Sequence, residues 1–406
     1  MAEEKKTPDK TPAEKQAINA QRAAAKAEAE KKAGAKPAAP QTKPAPPKKP
    51  GQYEPLTHVK DFNDRLQLCG ARYSPCGKFV IGGSMIGSVL RWDAATDDFA
   101  PLPDWTGHGG FVSGLAFGPK GSNRVYTSDS WGRLRAYDYT SKNDKPLWDV
   151  AEAHAGWLHT VACSPDGKTI ATCGYDQAVR LWDAATGKKI ADLPGHKWDV
   201  LSVEFSPDGK TLASGDLSGL VKLWDVAAKK SLRDLDAAFL YVENRLQDVG
   251  GARVLRFTPD GKTLIVGGTA PKNGGNVQGE PTLALYDPQT GKQTKKFKLG
   301  EAKDIYVFDV VCHPGGYWLV VTSGNPGSGQ LLLLRPGEEK PFFTSTKVAN
   351  LHSVDLHADG RRFIVTAINP ANAGNGAVKN KETAKYVSNF SPIKVFELPE
   401  TFGPAA

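Results

Sequence analysis

Residues 154–183 read HAGWLHTVACSPDGKTIATCGYDQAVRLWD, and residues 195–225 repeat the pattern as GHKWDVLSVEFSPDGKTLASGDLSGLVKLWD. Each stretch contains short β-branched runs, a tight Ser-Pro-Asp-Gly turn and a closing Trp-Asp pair. Proline at the second position of the turn presets φ, and glycine at the fourth supplies the freedom that the turn needs. Both stretches therefore predict units of short strands joined by turns.

Two markers of this unit recur seven times. The turn begins at Ser74, Gly118, Ser164, Ser206, Thr258, His313 and His357. The aromatic-acid pair begins at Trp92, Tyr137, Trp182, Trp224 and Tyr286, with degenerate members at Leu334 and Phe396. One such unit cannot bury both of its faces, whereas units stacked around an axis bury them against each other. The sequence thus predicts an all-β, seven-bladed β-propeller of four-stranded antiparallel blades.

The units resemble blades of the WD-repeat (Trp-Asp) β-propeller family, nearest to its bacterial type. The resemblance covers residues 53–400, and it is strongest for the third and fourth units. It implies one propeller over residues 53–406. The last unit runs only through its third strand, PIKVFEL. We expect YEPLTHV at 53–59 to supply the missing fourth strand and to close the ring, which removes exposed sheet edges.

Residues 1–52 differ in composition from the rest of the chain. Twelve basic and six acidic residues give this segment most of the formal net charge of +8. It is rich in Ala, Lys and Pro and has no aromatic residue, so we expect a disordered tail with a possible single helix over 12–33. Because the remainder is nearly neutral, direct nucleic-acid binding is not expected, although a weak contact through the tail stays open.

The WD-repeat resemblance also implies a buried polar network. In the third unit its members are His154, Thr172, Asp176 and Trp182. Thr, His and Asp also make up a hydrolase triad. We favour the structural role, because a network whose polar atoms are all paired inside a blade reaches no substrate.

The other units are expected to lack a complete network. In the fourth unit Ser218 stands where the third unit has Asp176, beside His196, Ser214 and Trp224. In the second unit Trp131 and Tyr137 take the last two positions, after His108 and Thr127. These departures predict a complete set in the third unit alone.

One face of such a propeller carries the loops between blades and the turns between second and third strands. Three long segments, 236–248, 270–281 and 369–391, belong to this face. Five aromatic residues are expected there as a candidate protein-binding surface: Phe111, Trp131, Trp157, Tyr175 and Trp198. Trp and Tyr often carry interface energy. The alternatives are that the long loops reflect neutral drift and that the aromatic rings pack on neighbouring loops.

His159 and His352 lie five residues before their turns, in the same register as Cys69 and Arg253. A metal site needs ligands that converge from adjacent strands. The two histidines belong to the third and seventh units, which are not adjacent. We therefore expect them to line the channel and not to bind a metal. The sequence accordingly predicts no metal, no cofactor and no catalytic residue.

These observations favour a non-catalytic protein-protein interaction scaffold, expected to be a cytoplasmic monomer that binds a protein or peptide. No stretch of 18 apolar residues predicts a membrane span, and five cysteines without a CxxC pair fit reduced thiols. Two alternatives stay open. One is an enzyme with a site at the channel mouth, and the other is an anchored scaffold whose basic tail binds a polyanion such as RNA or an acidic lipid surface.

Overall fold

A computed structural model describes residues 56–63, 65–244, 247–274, 277–325, 327–369, 378–379, 386–387 and 389–399. Residues 1–52, with the helix predicted over 12–33, lie outside these ranges. Within them, seven four-stranded antiparallel sheets form a seven-bladed β-propeller, which confirms the predicted fold class.

Strand β1 covers Thr57–Phe62. Blade one contains β2 (Leu68–Tyr73), β3 (Phe79–Ser84), β4 (Val89–Asp93) and β5 (Ala100–Trp105). Blade two contains β6 (Val112–Phe117), β7 (Arg124–Asp129), β8 (Leu134–Asp138) and β9 (Trp148–Val150). Blade three contains β10 (Leu158–Cys163), β11 (Thr169–Gly174), β12 (Val179–Asp183) and β13 (Lys189–Leu193). Blade four contains β14 (Val200–Phe205), β15 (Thr211–Asp216), β16 (Leu220–Asp225) and β17 (Lys230–Asp236).

A short 3-10 helix (Ala238–Leu240) and a hairpin of β18 (Tyr241–Asn244) and β19 (Gln247–Gly250) follow. Blade five contains β20 (Val254–Phe257), β21 (Leu264–Gly274), β22 (Val277–Tyr286) and β23 (Gln293–Lys298). Blade six contains β24 (Tyr306–His313), β25 (Tyr317–Ser323), β26 (Leu331–Leu334) and β27 (Phe343–Ser345). Blade seven contains β28 (Leu351–Leu356), β29 (Arg362–Ala367) and β32 (Ile393–Glu397), with a short pair β30 (Val378–Lys379) and β31 (Tyr386–Val387) between the last two.

The seven turns explain why strands end where they do. In blade three Gly167 N donates to Ser164 O at 2.8 Å, and Gly167 has φ of +71°, which favours glycine. Thr169 N donates to Ser164 Oγ at 2.9 Å, and Ser164 Oγ donates to Asp166 Oδ1 at 2.6 Å. The serine, the aspartate and the glycine of the motif thus each have a local role in this turn.

Blade seven takes its outer strand from β1. Thr57 lies opposite Glu397 and Phe62 opposite Ile393, so β1 and β32 pair antiparallel. The strand begins at Thr57, within the segment predicted from the sequence, and Tyr53 lies outside the described residues. Blade seven also contacts blade one, since Ala71 N donates to Ser353 Oγ at 3.1 Å.

The hydrophobic core lies between blades. Each pair of neighbouring blades in the described chain shares one buried apolar cluster, and the seven clusters run around the ring. Tyr126, Leu158 and Trp182 belong to the cluster between blades two and three. Leu68 and Ile393 belong to the one between blades one and seven. Burial of the blade faces therefore stabilises a closed ring, because every blade covers the next.

Candidate binding face

The predicted network of blade three is assembled in its interior. His154 Nδ1 lies 2.8 Å from Asp176 Oδ1, and Nε2 lies 2.7 Å from Thr172 Oγ1. Trp182 Nε1 donates to the same hydroxyl at 2.7 Å. The His154 side chain is fully buried, and both of its ring nitrogens have hydrogen-bond partners within the blade.

Burial and hydrogen bonding shift the pKa of both Asp176 and His154. Burial raises the pKa of Asp176, but the hydrogen bond and charge of His154 outweigh it and hold that pKa well below the usual range. Burial lowers the pKa of His154. Arg180 Nη1 donates to Asp176 Oδ2 at 2.7 Å and completes the set. With the backbone N–H groups of Ala155 and Ala178, the Asp176 carboxylate has four hydrogen-bond partners and is committed to structure.

The expectation that only the third unit carries a complete set is wrong. In blade four His196 Nδ1 lies 2.7 Å from Asp216 Oδ2, and Ser218 is not the partner. Ser214 Oγ lies 2.7 Å from His196 Nε2 and accepts from Trp224 Nε1 at 2.8 Å. Blade four therefore has all four members.

Blade two follows the same pattern with a different fourth member. His108 Nδ1 lies 2.9 Å from Asp129 Oδ2, and Nε2 lies 2.7 Å from Thr127 Oγ1. Tyr137 replaces the tryptophan, and its hydroxyl accepts from Arg135 Nη1 at 3.2 Å. The Trp131 side chain takes no part in the network, although its backbone N–H donates to Asp129 Oδ1 at 2.9 Å.

The aspartate of the network stands at different positions of the repeat in blades three and four. Asp216 ends a second strand, whereas Asp176 lies two positions further along the repeat, in the turn. Blade three has Gly174 at the strand-end position, and a Cβ there would lie 2.4 Å from Trp157 O. A side chain at the strand end is excluded in blade three, so the carboxylate comes from the turn.

Most exposed large hydrophobic side chains lie at one end of the propeller, where first strands begin and second strands end. In the described residues seven such side chains lie there: Ile86, Phe111, Trp131, Trp157, Tyr175, Trp198 and Phe308. The other four lie on or beside outer strands: Val59, Leu147, Ile190 and Leu232. We call the first end the aromatic face.

Four of the predicted aromatic residues are neighbours across blades two and three. The ring centres of Phe111 and Trp157 lie 5.9 Å apart, edge to face. Tyr175 N donates to Trp157 O at 2.8 Å, and Trp131 packs over Gly109, where a Cβ would lie 2.6 Å from the ring. The rings of Phe111 and Trp157 thus meet across the two blades, and Trp131 and Tyr175 lie on the turns beside them.

Trp198 has a different neighbour. Its ring centre lies 5.8 Å from that of Tyr241 in β18. The sequence pattern singled out neither Tyr241 nor Ile86, and Ile86 is 68% exposed in the turn that corresponds to the Trp131 turn. Aligning the turns between second and third strands would have found Ile86, because Gly87 follows Ile86 as Gly132 follows Trp131, and both glycines have positive φ.

Two of the three long segments lie at the same end. Segment 236–248 forms the 3-10 helix and the β18–β19 hairpin, and segment 270–281 lengthens the hairpin of β21 and β22. Segment 369–391 contains β30 and β31, and most of its other residues lie outside the described ranges.

The first strands surround a channel with a cavity volume of about 1020 Å³. Pairing registers shift at one repeated place near the start of these strands, as between Leu158 and Thr160. β-Bulges of this kind turn a side chain in a new direction. Six residues stand at such a shift, and Arg253, directly before β20, holds the equivalent position five residues before its turn. All seven line the cavity: Cys69, Ser113, His159, Leu201, Arg253, Phe308 and His352. We call this set the mouth ring.

Deeper in the channel, charged side chains bind one another. Arg72 Nη2 lies 2.6 Å from Asp309 Oδ2, and Arg256 Nη1 donates to Glu204 Oε1 at 3.0 Å. Tyr73 N donates to Asp355 Oδ2 at 2.7 Å, and burial raises the pKa of Asp355 to about 6. No group of three or more His, Cys, Asp or Glu in the described part of the chain is placed to hold a metal ion.

Comparison with known proteins agrees with this geometry. The family model "WD domain, G-beta repeat" matches residues 146–183 and 187–225, which carry blades three and four. The chain is a WD-repeat β-propeller. The matched repeats of this WD-repeat propeller are those with complete four-member networks.

Two relatives match part of the chain. One is the nuclear distribution protein nudF of Aspergillus niger, 28% identical over 109 residues, which is 27% of this chain and 24% of that protein. Another is the small ribosomal subunit protein RACK1y of Oryza sativa subsp. japonica, 35% identical over 88 residues, which is 21% of this chain and 25% of that protein. The chain thus spans about a quarter of each relative.

Two further observations concern the surroundings of the protein. All five cysteines are free. Among the described residues, no helix has the length and apolar character needed to cross a membrane.

Proposed function

We propose that this WD-repeat propeller is a non-catalytic scaffold that binds a protein or peptide through its aromatic face. The carrying observation is that the exposed large hydrophobic side chains concentrate at one end of the molecule. Contiguous exposed apolar surface marks interaction sites, and Trp and Tyr are the side chains that most often anchor them. Trp131 is 71% exposed and Tyr175 is 61% exposed, so both have area left for a partner to bury.

The buried networks support this role by fixing the loops that carry the rings. Asp129 accepts from His108 through one carboxylate oxygen, and its other oxygen accepts from Trp131 N at 2.9 Å and Arg133 N at 3.1 Å. In blade three Asp176 Oδ2 accepts from Ala155 N at 3.0 Å, in the loop that leads to Trp157. A surface held in its binding geometry loses less conformational entropy when the partner arrives.

The same networks argue against hydrolysis. Their histidines are buried with both nitrogens paired, and none of the three lines the channel. We therefore assign them to structure. We also propose that the scaffold acts as a monomer in the cytoplasm, since five free thiols suit a reducing compartment.

Affinity purification with variants of the full chain tests the proposal. Trp157→Ala with Trp198→Ala should remove bound partners, because loss of an interface anchor commonly costs about 2 kcal/mol, a roughly thirtyfold weaker complex. Trp131→Ala with Tyr175→Ala is the second variant, since these rings are the most exposed and their loss should leave the melting temperature unchanged.

Ile190→Ala with Leu232→Ala is the matched control, because both residues are exposed apolar side chains on outer strands. Partners should remain on this control. If partners also remain on both aromatic variants, the aromatic face is not the working surface. In that case the tail of residues 1–52 becomes the candidate, and its contact with a polyanion would weaken steeply with added salt.

A further inference from the structure

A cation stands at the mouth of the channel without a counter-charge. Arg253 occupies the mouth-ring position of blade five, and its side chain lines the cavity. Arg253 Nε donates to Gly250 O at 3.0 Å, and its guanidinium carbon lies 4.9 Å from the ring centre of Tyr306. Among the described residues no carboxylate lies within ion-pair distance of Arg253, and its two terminal nitrogens have no acceptor.

The rest of the mouth ring is uncharged near neutral pH. Burial lowers the pKa of His159 to about 4, and Arg253 contributes to this shift. Burial also lowers the pKa of His352 to about 4. The remaining members are Cys69, Ser113, Leu201 and Phe308. Arg253 therefore supplies the net positive charge of the ring.

Aromatic groups form the walls around this cation. The ring centres of Phe308 and Tyr306 lie 6.1 Å apart, and those of Phe308 and His352 lie 5.8 Å apart. His159 stacks on Trp157 at 5.4 Å, and its buried Nε2 has no partner within the described residues. The mouth thus combines one cation, one unsatisfied ring nitrogen and several apolar surfaces.

The mouth is continuous with the aromatic face. Trp157 and Phe308 line the cavity, and both are exposed at the face, 39% and 43% respectively. A partner segment lying on the aromatic face would therefore pass over Arg253.

The charged side chains deeper in the channel do not compete with Arg253 for an anionic group. Asp309 and Glu204 are each bound by an arginine, and Asp355 is hydrogen-bonded to the backbone. This layer has three carboxyl groups and two guanidinium groups, Arg72 and Arg256, so it offers no excess positive charge to a second anion. An anion would stop at Arg253.

We propose that the channel mouth is a pocket for a carboxylate side chain of the partner, an aspartate or glutamate flanked by apolar residues. Arg253 would bind the carboxylate with its two free nitrogens, the fork geometry that suits guanidinium and carboxylate. Phe308 and Trp157 would contact the flanking apolar groups. This inference rests on the proposed scaffold function and specifies the chemistry of its partner.

Two defined peptides test the pocket without the natural partner. The probes are acetyl-Ala-Phe-Glu-Phe-Ala-amide and its Gln counterpart, which has the same shape and no charge. Isothermal titration calorimetry on the full chain should give about tenfold or greater preference for the Glu peptide, the effect of a charge-assisted hydrogen bond. Arg253→Gln should abolish the preference, and Arg253→Lys should keep part of it.

Lys197→Gln is the matched control. Lys197 is an exposed cation between His196 and Trp198, and no ion pair binds it among the described residues. This variant should keep the full preference. Equal affinity for the two peptides, no binding by either at millimolar concentration, or a preference that survives in Arg253→Gln would overturn the proposal.

Failure of the pocket and failure of the scaffold function give different results. If the aromatic variants lose their partners while Arg253→Gln shows no altered peptide preference, the scaffold stands and the carboxylate pocket is wrong. If the peptide preference depends on Arg253 while partners remain on the aromatic variants, the pocket stands and the working surface of the scaffold lies elsewhere.

Discussion

Asp216→Ala should destabilise the propeller more than any surface charge change. Asp216 and His196 have fully buried side chains, and the substitution leaves the His196 Nδ1 without its partner at 2.7 Å. Such an unsatisfied group costs about 1–3 kcal/mol. Asp216 Oδ1 also accepts from Ser218 N and Leu220 N, at 3.0 and 3.1 Å, so loss of the turn bonds adds about 1 kcal/mol.

The expected total is about 2–4 kcal/mol in free energy of unfolding. For a folded region of this size that corresponds to a melting temperature roughly 3–6 °C lower. Differential scanning calorimetry at neutral pH measures it. Glu243→Ala is the control, since this side chain is exposed in the β18–β19 hairpin and should leave the melting temperature unchanged.

A compensating change makes the prediction sharper. Ser218→Asp in the Asp216→Ala background places the carboxylate where blade three has Asp176. If a carboxylate at position 218 reaches the His196 imidazole as the one at position 216 does, the double variant should recover at least part of the lost stability. An unchanged melting temperature for Asp216→Ala, or a double variant no more stable than the single one, would refute the reasoning.

Two further predictions concern the channel and the tail. Because burial lowers the pKa of His159 and His352 from 6.5 to about 4, the unfolded chain binds more protons than the folded one between these values. The stability of the folded protein that depends on neutral His159 and His352 is fully present above pH 6.5 and is lost as pH falls towards 4. His159→Gln with His352→Gln should therefore flatten the decline of melting temperature from pH 6.5 to 4.5. Parallel pH profiles of the variant and the unchanged protein would contradict the assignment. Deleting residues 1–50 should leave the melting temperature unchanged, since the segment has no apolar stripe to pack, and a large loss would show that it docks on the propeller.

The blade count was predictable because its signals are local. In the turn at Ser164 the serine hydroxyl, the aspartate carboxylate and the positive φ of Gly167 act within four residues. Seven such turns, counted separately from the closing pairs, therefore predict seven blades even where the pair reads Leu334-Arg335 or Phe396-Glu397 in place of Trp-Asp or Tyr-Asp.

The aspartate partners were not predictable from one fixed spacing. Thr172 and Asp176 are four residues apart, whereas Ser214 and Asp216 are two apart, yet both carboxylates lie 2.7–2.8 Å from a histidine nitrogen. A β-strand that ends in a tight turn folds back on itself, so two sequence positions reach one point in space. Recognising this requires the strand end, which the motif alone does not give.

The mouth ring was found only in part for a similar reason. Distance from the turn placed Cys69, His159, Arg253 and His352 in one register. At Cys69, His159 and His352 the direction of the side chain depends on a bulge, and a bulge arises from the pairing of two strands, so it leaves no mark in the apolar pattern of one strand. Phe308 lies at the same distance from its turn at His313 and is 43% exposed, but it was not selected from the sequence.

The buried networks and the aromatic face are two aspects of one arrangement. Asp129 satisfies a buried histidine and, through its second oxygen, holds the backbone of the turn that carries Trp131. The carboxylate therefore joins the interior of the blade to its most exposed ring. Residues that resemble a catalytic triad would then contribute to function without chemistry, because they fix the geometry of a surface that binds by shape, apolar area and, at Arg253, charge.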